Sequence, residues 1–169
     1  MIARAGDCGF VSQTDLTARA IQFAQARKYG KGSPASRFNH VFFVSDDVGG
    51  IIQANQSGVE RGRLSQYANQ TYELKRPPYG PGGAQIAVAA AEAALGTKYG
   101  FLTIASVALS LLTGTKLRFG ISGEEICSGA AADWMDRANI DCGPDETYDT
   151  PSDLWTLVAW TETLVHKAT

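Results

Sequence analysis

A chain of 169 residues has the length of one domain and can bury a hydrophobic core without disulfide or metal staples. Apolar residues make up 44% of the chain and charged residues 19%, a composition that excludes disordered and collagen-like proteins. The net charge of −2 excludes the strongly basic character of a nucleic-acid-binding domain, although most basic residues precede residue 77. A single domain over residues 1–169 is therefore predicted.

Hydrophobic periodicity predicts a mixture of short strands and separate helices, which is typical of an α+β protein. Strands are predicted, in chain order, over residues 6–11, 38–45, 51–55, 71–75 and 116–121. Helices are predicted over residues 15–27, 84–95, 101–112, 126–138 and 152–160. The turn-forming residues 46–50 separate two of the strands, so residues 38–55 are predicted to form a β-hairpin.

The sequence also limits the compartment and the cofactors. No apolar run reaches about 18 residues, so no membrane span is predicted. The first ten residues lack the apolar region of a secretory signal peptide, which favours a cytoplasmic protein, with signal-independent export or a phage origin as alternatives. Three cysteines without a CxxC pair and two histidines give no basis for a structural zinc site. No metal, organic cofactor or nucleic-acid partner is expected.

Any mechanism that needs a histidine base depends on one of two residues, His40 or His166. His166 lies four residues from the end of the sequence and is predicted to be part of a solvated tail. His40 lies in the best predicted strand, on the same face as Phe42 and Val44. That position suits a hydrogen-bonded structural histidine as well as a general base.

Cys127 is the cysteine best placed to react, because it opens a predicted helix. Unpaired N–H groups and the helix dipole favour an anion there, and they can lower the pKa of a thiol. A core role is the alternative, since the residues that follow at helical spacing are apolar. Cys8, in an apolar strand, and Cys142, in a turn-rich segment, are predicted to be inert.

A catalytic imidazole needs a neighbour that fixes its tautomer and orientation. If Ser45 pairs with Gly50, the returning strand puts Gln53 and Asn55 on the same face as His40. An odd-numbered loop without a bulge would instead turn Gln53 to the other face. The sequence leaves open whether Gln53 or Asn55 would orient the imidazole.

Several short segments of the chain occur in a recognisable order. Residues 39–45 read NHVFFVS, residues 51–54 IIQA, residues 98–101 KYGF and residues 126–129 ICSG, and residues 6–7 and 150–154 flank them. This order resembles the "SHVGIY … VIEA", "YDF" and "CSEL" motifs of the YiiX-like permuted papain-fold proteins, which are relatives of the NlpC-type peptidoglycan peptidases. The resemblance covers most of residues 6–155.

The resemblance implies a circularly permuted papain-like (NlpC-type) α+β fold, with a small antiparallel sheet or barrel packed against helices. It also implies a triad of Cys127 as nucleophile, His40 as base and Gln53 as the polar third residue. Asn55, Tyr99 and Ser128 are further candidates, Tyr99 as an oxyanion or substrate contact. The chain departs from the family pattern at Gln53, where glutamate is common, and at Gly100, which replaces the aspartate of "YDF".

The expected function is a cysteine peptidase or amidase that cleaves an amide bond, in a peptide of cell-wall type, through an acyl-thioenzyme. Its partner would be a peptide or acyl substrate. One alternative is a lipid or small-amine acyltransferase or thioesterase of the same fold, in which residues 104–112 would form an apolar wall. The other is a non-enzymatic structural or interaction protein, associated with a phage or a secretion system, that retains the fold.

Overall fold

The computed structural model of the chain describes residues 2–14, 16–55, 57–99, 124–125, 127–142 and 150–168. Within them, short strands and separate helices are mixed along the chain in an α+β arrangement. The helix predicted over residues 101–112 and the strand predicted over residues 116–121 lie outside the described residues.

In the part of the chain that the structure describes, six antiparallel strands form the main sheet, in the order β4-β3-β2-β1-β5-β8. These strands are β1 (Cys8–Val11), β2 (His40–Val44), β3 (Gly50–Asn55), β4 (Gly58–Arg63), β5 (Tyr72–Arg76) and β8 (Glu162–His166). Two short strands, β6 (Lys98–Tyr99) and β7 (Glu124–Glu125), pair in parallel as a separate ribbon. The main sheet is open, with β4 and β8 at its edges, so the described strands do not close into the barrel considered above.

Four α-helices of the described residues accompany the sheet: α1 (Leu16–Tyr29), α2 (Gly83–Ala93), α3 (Cys127–Asp136) and α4 (Pro151–Leu157). The start of α4 is fixed by Thr150, whose hydroxyl accepts from the Asp153 N–H at 3.3 Å while the Asp153 carboxylate accepts from the Thr150 N–H at 2.9 Å. Within the part of the chain that the structure describes, no helix combines the length and apolar character needed to cross a membrane.

The hydrophobic core lies on both faces of the sheet, because strand side chains alternate with a period of two. Every residue of β2 is buried. Val41 and Phe43 point to the face covered by α2 and α3, where Trp134 of α3 packs edge-on against Phe43. Phe42 points to the opposite face, where the 3-10 helix Leu64–Tyr67 covers it. Helix α3 thus packs directly on the strand that carries His40.

The sequence did not predict either edge strand, β4 or β8. Strand β4 alternates in burial, but its outer residues are charged or glycine, so the pattern does not resemble an apolar strand. Strand β8 includes His166, and the prediction of a solvated tail there is wrong. The imidazole Nε2 lies 3.0 Å from the carbonyl oxygen of Ala68, and the ring stacks on Tyr72 with centroids 4.6 Å apart. Pairing with β5 orders this segment.

Candidate active site

The β2–β3 hairpin brings His40 and Gln53 together. The Ser45 N–H donates to the Gly50 carbonyl at 2.9 Å, and Phe43 pairs with Ile52 in the same register. That register puts the side chains of His40 and Gln53 on one face of the sheet. The imidazole Nε2 lies 3.0 Å from Gln53 Oε1, and both residues are about 95% buried, with exposed fractions of 4% and 5%.

Tyr67 holds the amide of Gln53 from a second direction. Its hydroxyl donates to Gln53 Oε1 at 2.6 Å, and its ring stacks on Phe42 with centroids 4.9 Å apart. Burial raises the pKa of Tyr67 to about 12, so the phenol remains a donor across the physiological range. Because Oε1 is an acceptor only, its other neighbour, His40 Nε2, must carry a proton. In the neutral ring that tautomer makes Nδ1 the basic nitrogen.

Cys127 lies at the start of α3, beside the strand that carries His40. The backbone N–H groups of Val41, Ser128 and Cys127 and the Ser128 hydroxyl each act to lower the pKa of its thiol, so these donors lie close to the sulfur. Val41 directly follows His40, so the thiol lies beside the same short stretch of strand as the imidazole. In the ladder between β2 and β3, the recorded pairs are Phe43 with Ile52 and Val44 with Ile51, and Val41 lies beyond its end.

The helix start does not make Cys127 a ready thiolate. Burial raises the pKa of the Cys127 thiol, and the hydrogen bonds from Val41, Ser128 and Cys127 offset this effect in part. With 4% of the residue exposed, desolvation of the anion outweighs the favourable N–H groups. The expectation of a lowered pKa from the helix position alone is therefore wrong. A protonated thiol needs a base, and His40 is the titratable side chain on the adjoining strand segment.

The remaining candidates occupy other positions. Asn55 bonds to the carboxylate of Glu60, and its Oδ1 accepts from the Ser57 N–H at 2.9 Å, so its recorded partners lie in the β3–β4 turn rather than at His40. Ser128 is 1% exposed, and its N–H and hydroxyl groups both act to lower the pKa of the Cys127 thiol. The backbone of Tyr99 lies in β6, and its side chain is outside the described part of the structure.

Sequence reasoning missed two residues that build the site. Asn39, 1% exposed, accepts the Gln13 N–H at 2.7 Å and donates to the Gln13 carbonyl at 2.9 Å, which fixes the entry to β2 against the exit from β1. Its position beside His40 was a usable signal. Tyr67 had no signal, because it lies 14 residues beyond Gln53 in a segment without a strand or helix pattern.

Among the described residues, no three side chains of histidine, cysteine, aspartate or glutamate come together in a way that could hold a metal ion. The three cysteines are buried, and none of them forms a disulfide with another described residue. Cys8 and Cys142 belong to the hydrophobic core, and burial raises the pKa of Cys8 well above its ordinary value.

Comparison with known proteins gives the fold. No protein-family model matches the chain, and no curated protein matches it. Among solved structures, it is similar to the crystal structure of the metalloprotein YiiX from Escherichia coli O157:H7, with a TM-score of 0.68 and 14% sequence identity. The match covers 100% of this chain and 99% of that one. The chain therefore has a YiiX-like fold along its whole length.

Proposed function

We propose that this YiiX-like chain is a cysteine hydrolase of the peptidase or amidase type, with the reactive groups arranged as in a circularly permuted papain-like enzyme. The observation that carries the proposal is the 3.0 Å contact between His40 Nε2 and Gln53 Oε1, on a strand against which the helix that begins at Cys127 packs. The resemblance to NlpC-type peptidases favours a peptide amide of cell-wall type as the substrate.

In the first half of the reaction, the Cys127 sulfur attacks the carbonyl carbon of the scissile amide. The thiol proton passes to Nδ1 of His40, while the Nε2 proton stays bonded to Gln53. The resulting oxyanion is bound by the Cys127 backbone N–H at the start of α3, with Tyr99 as the proposed second donor. Collapse of this intermediate breaks the C–N bond, and His40 returns its proton to the leaving amine.

In the second half, water attacks the thioester carbonyl of the acyl-enzyme. His40 takes a proton from the water as the C–O bond forms. The C–S bond then breaks, and the proton returns to the sulfur. The net reaction adds one water across the amide and regenerates the protonated thiol. Since that thiol is the resting form expected from its burial, the base is needed in every turnover.

The acyl-enzyme provides a direct test. Peptidyl thioesters are mixed with the protein, and intact-mass spectrometry measures the adduct and its decay. We expect an adduct on Cys127 that Cys127→Ala abolishes and Cys142→Ala, a change at a core cysteine, leaves in place. Release of free acid indicates hydrolysis, and transfer to an added amine indicates the acyltransferase alternative. If the unmutated protein forms no adduct, and Cys127→Ala and Cys142→Ala turn over the thioester equally fast, cysteine catalysis is excluded.

The pH dependence of alkylation tests the thiol by itself. Because burial raises its pKa, Cys127 carries less thiolate at neutral pH than an ordinary cysteine with a pKa of about 8.5. Iodoacetamide labelling should therefore be slow at pH 7 and should still rise above pH 9. Cys8, fully buried, should react later than Cys127. Labelling of Cys127 that levels off below pH 8 would contradict the raised pKa.

A further inference from the structure

A cationic cleft lies between α1 and the following segment, residues 31–37. It has a volume of about 780 Å³, within the range of pockets that hold small ligands or short peptide segments. Four basic side chains line it, Arg19, Arg27, Lys31 and Arg37, and none of the described lining residues is acidic. Such a one-sign lining concentrates negatively charged ligands.

Most of this positive charge is not neutralised within the protein. Arg37 forms an ion pair with Glu73, on the sheet. Among the residues that the structure describes, Arg19, Arg27 and Lys31 have no acidic partner within ion-pair distance, and all three are exposed. An anionic ligand would therefore meet cations that have no competing carboxylate.

The cleft also offers an apolar contact. Phe23 is 60% exposed although it is a large aromatic residue. It lies four residues from both Arg19 and Arg27, so the three side chains share one face of α1. A ligand that combines carboxylates with an apolar side chain matches this face in charge and in shape.

One end of the cleft is close to the proposed reactive groups. Gln22 Nε2 donates to the Arg37 carbonyl at 3.1 Å, which ties α1 to the segment that leads into β2. Arg37 precedes His40 by three residues, so their Cα atoms are at most about 11 Å apart. An extended peptide of a few residues spans that distance.

We propose that the cleft binds acidic side chains of the peptide substrate, so that the enzyme prefers peptides carrying carboxylates near the scissile bond. This inference rests on the proposed hydrolase function and specifies its substrate class. A flat bilayer cannot reach Ser36, which lines the cleft and is 6% exposed.

The test measures binding and turnover separately. Two fluorescent peptides, identical except for glutamate in place of glutamine at two positions, are titrated onto the Cys127→Ala protein. The acidic peptide should bind about 3- to 10-fold more tightly, as expected for two or three exposed charge pairs. The difference should shrink as salt is raised from 0.05 to 0.5 M, at about the ionic strengths where exposed charges become screened.

Matched charge variants locate the effect. Arg27→Gln with Lys31→Gln should abolish the preference for the acidic peptide. Arg63→Gln with Lys167→Gln makes the same change in net charge at exposed positions outside the cleft, and should preserve the preference. Circular dichroism confirms that each variant is folded.

Each outcome bears on one proposal. Equal binding of the two peptides, or equal losses in the two double variants, would overturn the assignment of the cleft. Equal kcat/KM values of the unmutated protein for thioesters of the glutamate and the glutamine peptide would also overturn that assignment. Cleft-dependent binding without a Cys127 adduct would overturn the hydrolase and, with it, the assignment of the bound peptide as substrate.

Discussion

Gln53 decides the chemistry of His40 at the scale of single residues. A side-chain amide presents one acceptor and one donor edge, and the edge that faces the imidazole selects its tautomer. Tyr67 donates to Oε1 and so holds the acceptor edge toward His40. An uncharged amide can therefore orient the ring, although it lacks the negative charge that a glutamate would provide near an imidazolium.

Replacing Gln53 by alanine should reduce kcat/KM about 10- to 100-fold, a loss typical of removing the group that supports a functional histidine. Gln53→Glu keeps an acceptor oxygen and should retain activity. Asn55→Ala is the matched control, because its recorded partners are Glu60 and Ser57 rather than His40. Steady-state kinetics on a peptidyl thioester measure all three. A silent Gln53→Ala beside a damaging Asn55→Ala would show that another group orients the ring.

The pairing of β1 with β2 controls the site at the scale of elements. Gly9 lies opposite Phe42, and a Cβ at Gly9 would come 2.1 Å from the phenylalanine ring. The ring therefore crosses the strand over a position without a side chain. Because Phe42 supports Tyr67 by stacking and Tyr67 holds Gln53, packing at β1 is connected to the orientation of His40.

Gly9→Ala should lower the free energy of unfolding by about 1–3 kcal/mol, the usual effect of overpacking a core. It should also reduce turnover in the folded protein, since Phe42 must move. Gly80→Ala is the control, because a Cβ there meets no atom within 4 Å. Urea denaturation followed by far-UV circular dichroism gives the free energy of unfolding of each variant, and steady-state kinetics on a peptidyl thioester give its turnover. Equal stabilities of the two variants would contradict the crossing of the ring over Gly9.

Asp153 connects distant parts of the molecule at the scale of the whole fold. Its carboxylate bonds to the Lys28 ammonium at 2.5 Å and to the Tyr29 hydroxyl, both at the end of α1, and it also caps α4 through Thr150. Burial raises the pKa of Asp153, but the hydrogen bonds from Lys28, Tyr29 and Thr150 outweigh it and hold the pKa below its ordinary value. The ionised carboxylate therefore stabilises the folded chain.

This lowered pKa gives stability a defined pH dependence. Since the unfolded pKa is about 3.9, the contribution of Asp153 is complete above that value and is lost as pH falls below it, through the folded pKa. Asp153→Asn should reduce stability at pH 7 by about 1.5–3 kcal/mol, the range for hydrogen bonds to charged groups. It should also flatten the loss of stability below pH 4.

Urea midpoints at pH 7 and pH 3 measure both effects. Asp133→Asn is the control, since Asp133 forms an exposed i,i+4 pair with Arg137 and such pairs contribute little. An Asp153→Asn protein as stable as the wild type at pH 7 would contradict the proposed connection between α1 and α4.

The sequence by itself determined the central hairpin and hence the face on which His40 lies. The apolar run at residues 38–45 can be buried on both sides, and the turn at residues 46–50 is closed locally, where Asp46 accepts from the Val48 and Gly50 N–H groups. A turn of known length fixes the register, and the register fixes which side chains are neighbours. The start of α3 at Cys127 also followed from local pattern.

Tertiary structure alone decided the rest, because the deciding contacts join segments that are far apart or lack a pattern. Gln53 rather than Asn55 faces His40 since β4, an edge strand with charged outer residues, engages Asn55 through Glu60. Burial under the sheet raises the pKa of Cys127 against the trend of its helix position. Desolvation of the thiolate depends on every neighbour in space, whereas the favourable N–H groups of a helix start are local. The sequence therefore showed the lowering of the Cys127 pKa by the helix start, which is the smaller effect, and not its raising by burial.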